Sequence, residues 1–119
     1  MDRTMKIKVE IADTALTLAK GLMGRKKMAQ DEGMFFKFPA ITEARFWGKD
    51  TYIPLDIAFI RDNQIVDTNY ITPMSTRSIT SKQPCNAAIE VNSGFLAKNN
   101  IQVGHHISVQ GNEIEFKGS

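Results

Sequence analysis

Residues 53–60 read Ile-Pro-Leu-Asp-Ile-Ala-Phe-Ile, and they constrain the fold more than any other stretch. In an extended chain successive side chains point to opposite faces. Leu55, Ile57 and Phe59 therefore share one face, and Asp56, Ala58 and Ile60 share the other. Both faces are apolar, so this strand belongs inside a sheet that is covered on each side. Asp56 then carries a carboxylate into apolar surroundings, where an unpaired charge costs several kcal/mol. It must bind Arg, Lys or backbone N–H groups, or stand at the mouth of a polar pocket. Glu90 shares a strand face with Ala88 and poses the same demand.

The rest of the chain reads as strands around that element. Met5 to Ile11 alternates apolar and charged residues, the pattern of a strand with one buried and one wet face. Asp13 can cap a following helix whose apolar face is Ala15, Leu18, Ala19 and Leu22, with Gly24 as its end and Gly21 as a sign of close packing or an early stop. Met34 to Phe38, stopped by Pro39, and Ala44 to Trp47 are two aromatic strands. Leu55 to Ile60 and Ile65 to Ile71 form a hairpin across Arg61-Asp62-Asn63-Gln64. Thr72 to Pro84 is a loop with a short extended piece around Arg77 to Thr80. Ala87 to Val91 resumes a strand, and Ser93 caps a helical turn through Lys98. With Gly111-Asn112 as a two-residue turn, Val109 faces Ile114 and Ile107 faces Phe116. The fold class is mostly β: a compact, single-domain barrel-like or sandwich fold over residues 1–119, with seven or eight short strands and one or two short helices.

Composition removes several function classes. The 15 Lys and Arg against 13 acids leave a net charge of +2, so bulk charge does not favour nucleic acid. Cys85 is the single cysteine, which excludes an internal disulfide, and with only His105 and His106 beside it no structural zinc site is expected. Those two histidines are adjacent and would point to opposite faces of a strand, so they read as surface or structural. No stretch approaches the ~20 apolar residues of a spanning helix. The charged start of the chain lacks the apolar run of a signal peptide, so the expected setting is the cytoplasm. No cofactor is expected.

Gly21-Leu22-Met23-Gly24 before Arg25, Lys26 and Lys27 superficially matches a Gly-x-x-Gly RNA clamp, but Leu and Met in its middle look like helix core. No Gly-x-Ser-x-Gly elbow or His-Glu-x-x-His helix is present. Arg45 to Tyr52 mixes aromatics with both charges, a composition common in ligand pockets and equally that of a strand whose Trp47 plugs the core.

Gly21-Leu22-Met23-Gly24-Arg25, Gly33 to Phe38, Phe46-Trp47, Ile53 to Ile60 and Ile89 to Gly94 together resemble the domain of unknown function family 192. The resemblance runs over nearly the whole chain. It implies a compact, mostly β prokaryotic domain without a settled activity, exported in some relatives, and it points to Arg25, Trp47, Asp56 and Glu90 as the recurring polar and aromatic positions. The chain departs from the family's usual pattern at Gly48 and Asp50, after Trp47, and at Gly104-His105. If these line a pocket, Gly48 opens space and Asp50 adds a negative charge near Trp47.

Three function readings follow. In the leading one, Arg25, Trp47, Asp50, Asp56 and Glu90 line a polar pocket for a small polar ligand or a protein partner's side chain. In the second, a small hydrolase or isomerase uses Asp56 and Glu90 as a catalytic acid and base, with Arg25 or Arg45 stabilising developing negative charge. In the third, the polar core is structural and the surface binds proteins.

Overall fold

The computed structural model describes residues 5–118. The part of the charged chain start that falls on residues 1–4 lies outside them. The described elements are β1 (Met5–Ala12), α1 (Ala15–Lys20), β2 (Glu32–Thr42), β3 (Arg45–Phe46), β4 (Leu55–Arg61), β5 (Gln64–Ile71), β6 (Ile79–Thr80), β7 (Cys85–Asn92), α2 (Phe95–Lys98), β8 (His106–Gln110) and β9 (Glu113–Lys117). Seven strands close a barrel in the order β1-β2-β7-β4-β5-β8-β9, and β3 with β6 forms a separate two-stranded ribbon. Of the two mostly β forms expected, the chain takes the barrel. No helix among the described residues is long and apolar enough to cross a membrane.

Local signals explain the hairpins. Val109 stands opposite Ile114 and Ile107 opposite Phe116, around the Gly111-Asn112 turn. Asp62 and Asn63 join β4 to β5 with φ of 50° and 66°, the left-handed pair that matches a tight turn to strand twist. Where the sequence stops a strand at Pro39, β2 runs on to Thr42. The pairing of β2 with β7 shifts between Lys37 and Thr42, so Pro39 sits in a stretch without a ladder partner, where its missing N–H costs nothing.

The central strands have a core on each side. Ala58, Ile60, Ile89 and Val91 join Ile7, Ile107 and Phe116 in a cluster to which all seven strands contribute, the barrel interior. Leu55, Ile57, Phe59 and Ala88 join Met34 and Phe36 in a second cluster on the outer face of β2, β7 and β4. Something has to cover that outer face. β1 and β2 are parallel neighbours, and a parallel pair needs a connection that crosses back over the sheet. Residues 13–31 make this crossing and carry α1.

Thr14, not Asp13, caps α1: its hydroxyl accepts from the Thr17 N–H at 3.1 Å, and the Thr17 hydroxyl accepts from the Thr14 N–H at 3.0 Å. The helix stops at Gly21, earlier than Gly24, because Gly21 adopts φ +49° and a Cβ there would lie 3.3 Å from the Phe36 ring. None of the residues of α1 is fully buried. The short helix lies over the outer cluster without plugging it.

Candidate functional site

The gap under that crossing is a cavity of about 950 Å³, at the upper end of what a small-molecule site needs. α1 and its following turn form one wall, with Leu18, Ala19 and Leu22; Phe36 and Phe38 of β2 and the segment from Thr42 to Trp47 form the others. Phe46 is the centre of the aromatic wall, 4.9 Å from Phe36 in an edge-to-face arrangement and 6.2 Å from Phe38. Trp47 stands at the rim, 43% exposed, with the Lys49 ammonium 5.3 Å from its ring centre.

Glu90 is the buried acid of this cavity, and Thr51 is a second buried polar residue along it. Glu90 sits on the outer face of β7, flanked by Met34 of β2 and Ile57 of β4, and is 4% exposed. Among the described residues no hydrogen bond or ion pair reaches its carboxyl group, which opens on the cavity. Burial without compensation pushes its pKa up to about 8, because the charged form loses its water and gains nothing in return. Glu90 is therefore mostly a neutral acid at pH 7. Such a group can donate a hydrogen bond, or give up its proton when a cation arrives.

The five residues expected to share one pocket divide. Trp47 and Glu90 meet at the cavity; Arg25, Asp50 and Asp56 are not among the residues that line it. Asp56 stands opposite Val91 while Glu90 stands opposite Ile57, so the two acids project from opposite faces of the sheet. An acid and base acting on one substrate would need a shared space, and these two have none. Asp56 instead accepts from the N–H groups of Gly94 and Leu96, at 3.0 and 3.2 Å. It caps the turn of α2 from a neighbouring strand, in place of Ser93. Asp56→Ala should therefore lower stability by about 1–2 kcal/mol, the scale of a lost helix cap, read as an earlier urea midpoint. Asp56→Asn, which keeps an acceptor oxygen, should lose less.

Arg25 makes a two-armed ion pair with Glu10 of β1, tying the crossing segment to the barrel surface. The guanidinium holds the Glu10 carboxyl below the usual carboxylate range. Asp50 is exposed with φ 56°, and its carbonyl accepts from the Gly24 N–H at 2.8 Å. Its contribution is this backbone link between two loops. Gly48 does not open space. A Cβ there would meet the Thr72 carbonyl oxygen at 1.9 Å, so the glycine permits a close approach of two chain segments. His105 is buried, with Nδ1 accepting from the Gln102 N–H at 3.2 Å, a structural role. Among the described residues no three His, Cys, Asp or Glu gather as a metal site would require.

Leu18, Leu22, Phe36, Phe38 and Phe46 were legible only as helix face and strand core, and they line the cavity nonetheless. The available signal was the excess: two aromatic runs and an apolar helix face compete for one side of one sheet.

Two solved structures are similar to this chain. One is a protein of unknown function from Novosphingobium aromaticivorans DSM 12444, with TM-score 0.84 and 31% identity, covering 87% of this chain and 75% of that one. The other, from Sinorhizobium meliloti 1021, is described provisionally as a transcription regulator, with TM-score 0.80 and 28% identity, covering 97% of this chain and 91% of that one. No protein with a curated description matches the chain. The profile of DUF192, described as an uncharacterized ACR, matches residues 1–109, and on that match the chain belongs to the domain of unknown function family 192.

Proposed function

We propose that this domain binds a small, mostly apolar molecule in the cavity under α1, with Glu90 as the polar anchor at its floor. One observation carries the reading: a buried residue's carboxyl group, without a partner among the described residues, opens onto a cavity of about 950 Å³ walled by aromatic and aliphatic side chains. A perturbed titratable group in a concave apolar pocket is the usual mark of a binding site. The pocket differs in character from a cluster of charges, since Glu90 is the one buried acid in it and Lys20, Glu43 and Arg45 are exposed at its edge.

The description of the Sinorhizobium protein, carried to this chain, suits a part that responds to a ligand better than one that reads DNA, because 15 cations offset by 13 acids offer no strong phosphate attraction. We assign the binding to the cytoplasm, where a lone unpaired thiol such as Cys85 is ordinary.

Trp47 is the only tryptophan, so its fluorescence reports on the rim. Benzyl alcohol should change that fluorescence saturably, in the millimolar range of a fragment this small. Ala19→Phe, at an exposed position of α1 facing the cavity, should weaken the binding severalfold while leaving the melting temperature nearly unchanged. A response that is linear in benzyl alcohol and indifferent to Ala19→Phe would remove the reading.

A further inference from the structure

Glu90 and the rings around it narrow the chemistry of the ligand. We infer that the molecule bound here carries an organic ammonium group, seated against the Glu90 carboxylate within the wall of Phe36, Phe38, Phe46 and Trp47. This rests on the reading of the cavity as a ligand site. A ring face attracts a cation through its quadrupole, and more strongly when water is excluded. Four rings line a cavity in which Glu90 is a buried acid without a partner among the described residues, so rings and acid together suit a cation that takes the place of the acid's proton. A neutral hydroxyl could bond to the acid but would gain little from the rings. A ligand carboxylate would face the negative faces of the rings and could pair with the acid only by sharing its single proton. The Trp47 ring already carries an ammonium, that of Lys49 at 5.3 Å.

Binding must move a proton. At pH 7 Glu90 holds its own, since burial raises its pKa to about 8. The acid and R-NH3+ then give the carboxylate–ammonium pair plus one H+ released to solvent; no covalent bond to carbon forms or breaks. The other charged groups at the cavity are Lys20 from α1, Glu43 from the link between β2 and β3, and Arg45 from β3. All three are exposed, where salt screens them. The neighbours of Glu90 on the paired strands, Met34 and Ile57, cannot titrate.

The test compares benzylammonium with benzyl alcohol, which differ mainly in charge, by Trp47 fluorescence and by calorimetry in two buffers of different ionisation enthalpy. Benzylammonium should bind more tightly, with its Kd falling about tenfold per pH unit between pH 6 and 7.5 as the proton to be displaced becomes easier to remove. Calorimetry at pH 7 should count nearly one proton released. Glu90→Gln keeps the shape and neutrality of the site, and it should sharply reduce the preference and abolish the pH slope and the proton release. Equal binding of both probes, without a pH slope, overturns the ammonium inference and leaves the cavity reading standing. A preference for the amine that survives Glu90→Gln undiminished also overturns it, because the rings or the exposed charges at the rim would then be responsible. If neither probe binds, both readings fall.

Discussion

Glu90→Gln should make the protein more stable than the parent at pH 8, by something on the order of 3–5 kcal/mol, while the two proteins have nearly equal stability at pH 4. The sign follows from where the proton sits. Glu90 has an ordinary value of 4.5, which the unfolded chain keeps, and a folded value of about 8. Below pH 4.5 both states are protonated and the group contributes no pH dependence. Between pH 4.5 and 8 the unfolded state gives up its proton while the folded state holds it, so each rise in pH favours unfolding. Above pH 8 both are ionised and the penalty is complete. The gap between the two values corresponds to about 5 kcal/mol, a large share of the usual margin of a small domain. Glutamine cannot ionise and should flatten this slope. Urea titrations of both proteins from pH 4 to 8.5 measure it directly. Parallel curves for parent and variant would mean that Glu90 keeps its charge when folded and has a partner or water that satisfies it.

Gly48→Ala should be among the most damaging small substitutions available in this chain. The methyl carbon would fall 1.9 Å from the Thr72 carbonyl oxygen and 3.0 Å from its carbon, far inside contact distance, and the obstacle is backbone, which cannot rotate away. The same stretch is held by the Gly48 N–H on the Ser75 carbonyl and the Thr51 N–H on the Gly48 carbonyl, at 3.0 and 3.1 Å. Relieving the clash means pulling these bonds apart. A loss of about 3 kcal/mol or more is expected, and with it a fall in melting temperature of about 10 °C. Trp47 is the adjacent residue, so its emission should shift to the red as the rim opens. Gly111→Ala is the control. Gly111 has φ +61° with open space around it, so its substitution carries only the cost of a left-handed alanine, about 1 kcal/mol. If both variants lose equally little, the approach at Thr72 is looser than described.

The sequence carried a great deal of the fold and less of the site, for a physical reason that particular residues make plain. The β8–β9 hairpin was legible to the residue because its turn and its alternation are local. The doubly covered β4 was legible because a strand apolar on both faces has nowhere else to go. The cap at Thr14 differs from expectation by one position, and the helix takes the early stop that Gly21 signals rather than the one at Gly24, which is the reach of competing local signals. The relation of Asp56 to Glu90 was not legible. It depends on which residue of β7 stands opposite Asp56, and nothing within either strand states that register. Val91 stands there; a slip of one residue would have put both acids on one face. The cavity was hidden for a similar reason, since it exists only where the β1–β2 crossing passes over a sheet built from distant segments.

The two cores on opposite sides of β2, β7 and β4 also divide the effects of inherited change. Along β7, Ala87, Ile89 and Val91 serve the barrel interior, while Ala88 and Glu90 face the cavity side. Alternate letters of one strand thus answer to separate demands. On the proposed reading of the cavity as a ligand site, a lineage can exchange the letters that choose a guest while leaving those that close the barrel untouched, so a change of specificity in this architecture needs no new scaffold.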